Sequence, residues 1–128
     1  MLSILIPVYD YNAFPLAAEL HQQCIALHIP FEILCQDDAS TTYITENQTI
    51  NTLENGTFSS NVFNLGRGRN CNALAKKAAF DWLLILDCDT FPKDADFIKN
   101  FLYPSLISVW NFPFLFSMFL ALQCSFIC

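Results

Sequence analysis

The chain has 128 residues, with six Lys and Arg against twelve Asp and Glu, a formal charge of -6, and 54% hydrophobic side chains. That length supports one modest domain with a real core, and the apolar content excludes disorder. The acidic balance excludes a generally basic nucleic-acid binder.

Leu2 to Val8 is a short apolar run closed by the polar Tyr9-Asp10-Tyr11-Asn12, which predicts a buried strand and a loop. From Ala13, apolar residues recur at Leu16, Ala17, Leu20, Cys24 and Leu27, the stripe of an amphipathic helix, with Pro15 tolerable in its first turn. Pro30 blocks continuation, and Phe31 to Cys35 reads as a second strand running into Gln36-Asp37-Asp38-Ala39-Ser40. Thr41 to Glu54 is polar and fits only a short, poorly amphipathic helix. Asn55-Gly56 signals a turn, and Thr57 to Phe63 a third strand.

Asn64-Leu65-Gly66-Arg67-Gly68-Arg69-Asn70 leads into a helix with Cys71, Leu74, Ala75 and Ala78 on one stripe. Trp82 to Leu86 predicts the fourth strand, ending in Asp87-Cys88-Asp89, and Pro92-Lys93-Asp94 the start of another helix. This alternation predicts an α/β domain over residues 1–100, with a mostly parallel sheet, helices on both faces, and strands ending at Val8, Cys35, Phe63 and Leu86.

Residues 101–128 contain no Asp, Glu, Lys or Arg. They are long enough for a membrane-associating segment, but Pro104, Asn111 and Pro113 interrupt them. The other reading is an aberrant C-terminus left by a frameshift. The six cysteines show no C-x-x-C pair and no interleaved histidines, which argues against zinc and for buried thiols in a reducing compartment. The opening Met1-Leu2-Ser3-Ile4-Leu5-Ile6-Pro7 has no basic leader, so a cytoplasmic domain is expected and the sequons at Asn47 and Asn55 are read as chance.

Chemistry concentrates where strands end. On a strand, residues i and i+2 share a face, so Asp87 and Asp89 are expected to present two carboxylates together at the point where a buried run emerges. Paired hard oxygens suit Mg²⁺ or Mn²⁺, which takes remaining ligands from water and substrate phosphates. All six cations (Arg67, Arg69, Lys76, Lys77, Lys93, Lys99) fall in the half of the chain that holds this motif. A parallel sheet brings its strand ends to one edge, so four polar clusters are expected around one crevice. They are Pro7-Val8-Tyr9-Asp10, Asp37-Asp38-Ala39-Ser40, Asn64 to Asn70, and Asp87-Cys88-Asp89.

In order and spacing, Ser3 to Tyr9, Glu32 to Ser40, Asn64-Leu65-Gly66 with Arg69-Asn70, and Leu84 to Asp89 resemble the family 2 glycosyltransferases. The resemblance implies the N-terminal, Rossmann-like nucleotide-binding half of a GT-A fold, truncated, with a nucleotide-diphospho-sugar donor, a UDP-sugar above all, held through a divalent metal. It implies that Asp37 bonds the uracil N–H, that Pro7, Val8 and Tyr9 border base and ribose, and that Arg69 reaches the nucleotide. Asp87 and Asp89 would hold the ribose and the metal, Cys88 lies between them, and Asp38 orders its loop or borders the nucleotide. Asp37-Asp38 reads equally as a helix N-cap region, and Arg67, Lys76 and Lys77 read as solvated helix charges. His21 and His28 are expected on a solvent side of the first helix, without a catalytic role.

The family's catalytic base lies well beyond the D-x-D, whereas no Asp, Glu or His follows Asp96 here. A donor site with no catalytic residue is therefore expected, and no sugar transfer by this chain alone. Two competing readings remain. Asp87-Cys88-Asp89-Thr90 also resembles the D-x-D-x-T motif of haloacid-dehalogenase-like phosphatases, with Asp87 as nucleophile and Asp89 as acid/base. The other is a non-enzymatic nucleotide-binding remnant.

Overall fold

A computed structural model describes residues 1–103. Among them the strands are β1 (Leu2–Val8), β2 (Phe31–Asp37), β3 (Gly56–Ser60) and β4 (Trp82–Ile85), and the helices α1 (Phe14–Ala26), α2 (Ile44–Gln48), α3 (Arg67–Lys77) and α4 (Phe97–Leu102). A 3-10 turn, Thr49–Thr52, links α2 to β3. The sheet order is β3-β2-β1-β4, and every pairing is parallel. β1 and β4 do share one sheet, with Leu2 opposite Trp82 and Leu5 opposite Ile85.

Alternation divides each strand between two faces. Leu2, Ile4, Ile6 and Val8 of β1, with Ile33 and Cys35 of β2, point towards α1 and α4 and pack on Leu16, Ala17, Leu20, Cys24, Ile98 and Leu102. Leu5 and Leu34 point the other way, onto Leu74 of α3. Helices thus cover both faces, because β1 is apolar on both and would otherwise expose one.

Boundaries differ from expectation where neighbours, rather than local composition, decide pairing. β2 continues through Gln36 and Asp37 because β1 still offers Pro7 and Val8 opposite them. β3 stops at Ser60, since only the Asn61 N–H finds a further partner, the Asp37 carbonyl at 2.8 Å. Val62 and Phe63, expected in this strand, are exposed. α4 starts at Phe97 rather than at Pro92: the Asp94 side chain accepts from the Asp96 N–H at 3.0 Å and closes a local turn. Buried Gln23 then ties this region to α1, donating to the Asp94 carbonyl at 3.2 Å and accepting from the Ile98 N–H at 3.0 Å.

The polar stretch after Ser40 becomes helical because Asn47 is its one buried side chain in α2. Its amide donates to the Tyr11 carbonyl and accepts from the Ala13 N–H, both at 2.8 Å. His21 is half-buried with its ring edge-on to Phe31, centroids 5.6 Å apart, and His28 lies past the end of α1. Cys24, Cys35 and Cys71 are buried, and burial pushes the Cys24 thiol up to about 12 and Cys35 higher still.

No helix among the described residues is long and apolar enough to cross a membrane. Of the apolar segment 101–128, Phe101 and Leu102 complete α4, where Leu102 is buried. Both readings of that segment otherwise lie outside the described residues.

Candidate functional site

The carboxyl ends of β1, β2 and β4 and the start of α3 enclose a cleft of about 480 Å³. Pro7, Val8, Tyr9 and Tyr11 form one side, Asp38, Asn64, Gly66, Arg67 and Asn70 another, and Asp87, Cys88 and Asp89 a third. Residues from all four polar clusters therefore meet around one space. Two of the candidates stand apart. Arg69 is exposed on α3 and is not part of the wall, and Asp37 is fully buried behind it.

The D-x-D pair is presented differently from the expected strand alternation. β4 ends at Ile85, and although the Leu86 N–H still donates to the Leu5 carbonyl at 3.0 Å, the chain then turns. The Asp87 carbonyl accepts from the Thr90 N–H at 3.0 Å and from its hydroxyl at 2.7 Å, closing a tight turn with Cys88 and Asp89 at its centre. Sheet alternation no longer applies beyond the last paired residue, so the turn sets the two carboxylates on the cleft. Cys88 is half-buried against the α1-side core, and desolvation raises its thiol, so it stays neutral and packs as an apolar residue.

Arg67, assigned by sequence to the solvated helix surface, lines the cleft and pairs with Asp87. Its guanidinium donates from Nη2 at 2.6 Å and from Nε at 3.2 Å to Asp87 Oδ1, with both side chains about half exposed. The first turn of α3 thus carries two cations, Arg67 and Arg69, where the helix dipole already places partial positive charge and favours anions. Asp87 and Asp38 offset this concentration. Asp38 accepts at Oδ1 from the Leu65 N–H and the Asn61 amide, each at 2.8 Å, and at Oδ2 from the Gly66 N–H at 2.8 Å. Gly66 needs to be glycine, because φ 83° with ψ 153° is a region that side chains scarcely enter.

Behind the cleft a polar layer holds α3 in place. The buried Asn70 amide donates to the Gln36 carbonyl at 2.8 Å and accepts from Asn61 at 3.1 Å. The Gln36 side chain bonds Asn61, Ser59 and Lys77. Lys77 is thus tied to the sheet rather than merely solvated.

A second interlock joins the loops after β1 and β2. Asp10, at φ 45°, accepts at Oδ1 from the Thr41 N–H at 2.7 Å and the Thr42 N–H at 3.2 Å, and its own N–H donates to Ser40 Oγ at 2.7 Å. The Thr41 N–H above all holds the Asp10 carboxyl below its usual range. Ser40 N–H in turn donates to Asp37 Oδ2 at 3.0 Å, while Asp37 Oδ1 is buried without a hydrogen-bond partner among the described residues.

Among the described residues no group of three or more His, Cys, Asp or Glu is arranged around a point that could hold a metal. Asp87 and Asp89 still fit Mg²⁺ or Mn²⁺, which commonly takes one or two carboxylates and completes its shell with water and phosphate oxygens. Tyr11 and Asn61 are site or support residues that residue patterns did not single out, and Arg67, though within the polar cluster before α3, is read from sequence only as a solvated helix charge. Only tertiary packing brings Arg67 to a carboxylate twenty positions away.

Comparison with known proteins places this geometry. The family model described as Glycosyl transferase family 2 matches residues 3–103. Among solved structures, S. aureus TarS 1-349 in complex with UDP-GlcNAc superposes with a TM-score of 0.61 at 24% identity, over 79% of this chain and 30% of that one. The mannosyltransferase PcManGT from Pyrobaculum calidifontis, in complex with GDP-Man and Mn2+, gives 0.60 at 20% identity, over 79% of this chain and 31% of its own. At these identities the likeness establishes the shared fold, and the chain spans less than a third of the length of either. No curated protein matches it.

Proposed function

Because this chain belongs to glycosyltransferase family 2, we propose that its cleft binds the nucleotide-diphosphate part of a sugar donor, a UDP-sugar, with Mg²⁺ or Mn²⁺ on Asp87 and Asp89. The observation that carries this reading is the convergence of the Asp87–Thr90 turn, Arg67 and the start of α3 on one cleft that Pro7, Val8 and Tyr9 also line. Four carboxylates (Asp37, Asp38, Asp87, Asp89) against two guanidiniums (Arg67, Arg69) leave this end acidic, so a diphosphate needs an additional cation to settle there.

Pro7, Val8 and Tyr9 then border base and ribose, and the unpartnered Oδ1 of Asp37 takes the uracil N–H. Asp38 acts through the Leu65 and Gly66 N–H groups that it holds. The bound divalent ion would neutralise charge on the departing diphosphate. Donor binding without transfer is the activity proposed for these 128 residues, since no Asp, Glu or His follows Asp96 to take a proton from an acceptor. The phosphatase reading loses its support with the family assignment, and its motif lies on a turn after β4, an edge strand among the described residues.

Isothermal titration of UDP into wild type and Asp89→Ala, with and without Mn²⁺, tests the proposal, with GDP as the competing base. Tight binding only of UDP, only with Mn²⁺ and only to wild type is expected. Equal affinity in all four UDP arms would remove the metal from the reading, and absence of binding in every arm would remove the donor site.

A further inference from the structure

Arg67 and the metal make claims on the same carboxylate. Two nitrogens of the guanidinium converge on Asp87 Oδ1, the shorter contact at 2.6 Å, and Arg67 reaches it from the first residue of α3, with both residues lining the cleft that a diphosphate would enter. On any other helix this would pass as a surface ion pair. Here both partners line the candidate cleft, and the pair places a cation against the favoured polarity of its own helix end.

We propose that Arg67 is a resident cation that holds Asp87 while the cleft is empty and exchanges it for the donor's diphosphate when nucleotide and divalent ion arrive together. The inference rests on the donor-site reading above and adds to it a residue and an order of events. An empty pair of Asp87 and Asp89 would repel itself and attract any passing divalent ion. With Arg67 in place, the carboxylate keeps its orientation and the site discriminates against metal that comes without nucleotide. Because both side chains are about half exposed, solvent screens the pair and its contribution is small enough to be surrendered. A diphosphate brings more negative charge than Asp87 alone, so Arg67 gains by the exchange, and Asp87 is released to the metal that same diphosphate carries. Asn70 and Asp38, which anchor the start of α3 from behind, keep the arginine backbone fixed during this change.

Two affinities therefore move in opposite directions in Arg67→Ala. Mn²⁺ alone, followed as free-ion signal by electron paramagnetic resonance, binds about two- to fivefold tighter to the variant, as expected from loss of a half-exposed pair. UDP without metal binds several-fold more weakly to it by calorimetry, and because Mn²⁺ alone already binds tighter, the factor by which Mn²⁺ improves UDP binding shrinks. Arg67→Lys keeps the charge but not the fork, and it falls between the two in both measurements. Circular dichroism of the full chain checks that each variant is folded, which the exposure of Arg67 favours.

Unchanged Mn²⁺ affinity and unchanged metal-free UDP affinity in Arg67→Ala, with metal-dependent UDP binding intact in wild type, would overturn this inference and leave the donor site standing. Weaker Mn²⁺ binding by the variant would overturn it too, by making Arg67 an organiser of the metal site rather than its competitor. Failure of wild type to bind UDP or Mn²⁺ would instead refute the donor-site reading, and this inference with it.

Discussion

The two faces of the sheet are built for different purposes. Towards α1 and α4 the strands send Leu2, Ile4, Ile6, Val8, Ile33, Cys35 and Leu84 into one continuous apolar core. Towards α3 the buried apolar set shrinks to Leu5, Leu34 and Leu74, with Leu83 and Ile85 partly buried beside them; Ser3, Glu32 and Gln36 add polar sheet positions, and Asp38 and Asp87 follow just past the strand ends. Apolar burial is non-directional and tolerates small shifts, so it suits the face that supplies stability. Hydrogen bonds fix position and angle, so the polar face suits the side from which the cleft is held. Stability and alignment are thereby assigned to opposite sides of one four-stranded sheet.

The largest effect expected from this division comes from Leu20→Ala on the α1 side, where the side chain is fully buried. Its loss should cost about 2–5 kcal/mol in urea unfolding and leave UDP affinity of the folded protein unchanged. A comparable loss of UDP affinity at full folding would break the division. Asn70→Ala on the other face removes far less volume but strips the buried Gln36 carbonyl of its donor. A cost of about 1–3 kcal/mol is expected, together with weaker UDP binding as the start of α3 loosens. Unaltered UDP binding at that loss of stability would show that the polar layer only stabilises.

Thiol labelling sharpens the same comparison without a substitution. Among the described residues Cys88 lies at the cleft, half-buried, while Cys24 and Cys35 are sealed in the α1-side core with raised thiols. Iodoacetamide followed by peptide mass mapping should mark Cys88 well before those two, slowly because its thiol is also raised. UDP with Mn²⁺ should protect it. Labelling of Cys24 ahead of Cys88 would contradict the placement of both.

The smallest effect concerns acid. Asp10 holds Thr41 and Thr42, and its carboxyl lies below the ordinary 3.8. A carboxyl with a depressed folded value stabilises above its unfolded value and loses that contribution as pH falls through the folded one. The Thr41 and Thr42 amide resonances should therefore shift only in strong acid, from 3.8 downwards, and Asp10→Asn should show no such step. A transition near neutral pH at these amides would assign the interlock to another group.

Much of the fold was legible because it rests on short-range periodicity. Apolar runs of strand length, the α1 stripe with Pro15 in its first turn, and the glycine before α3 each report local geometry, and their alternation implies a parallel sheet covered on both sides. The strand ends were less legible, because whether Gln36 and Asp37 belong to β2 depends on Pro7 and Val8 standing opposite. The start of α4 was hidden for a related reason: it is fixed by Gln23 on another helix.

The residues around the cleft divide in the same manner. By itself the sequence determined that polar clusters follow four apolar or turn segments, that Asp87 and Asp89 are two positions apart, and that the order of these pieces resembles one family. Tertiary structure alone decided that the D-x-D is carried on a turn, that Arg67 rather than Arg69 forms part of the cleft wall, and that Asp37 is closed off with one oxygen unpartnered among the described residues. Patterns of burial repeat along a chain and can be read from it. The direction of a single side chain across a cleft is set by elements that meet only when the sheet closes.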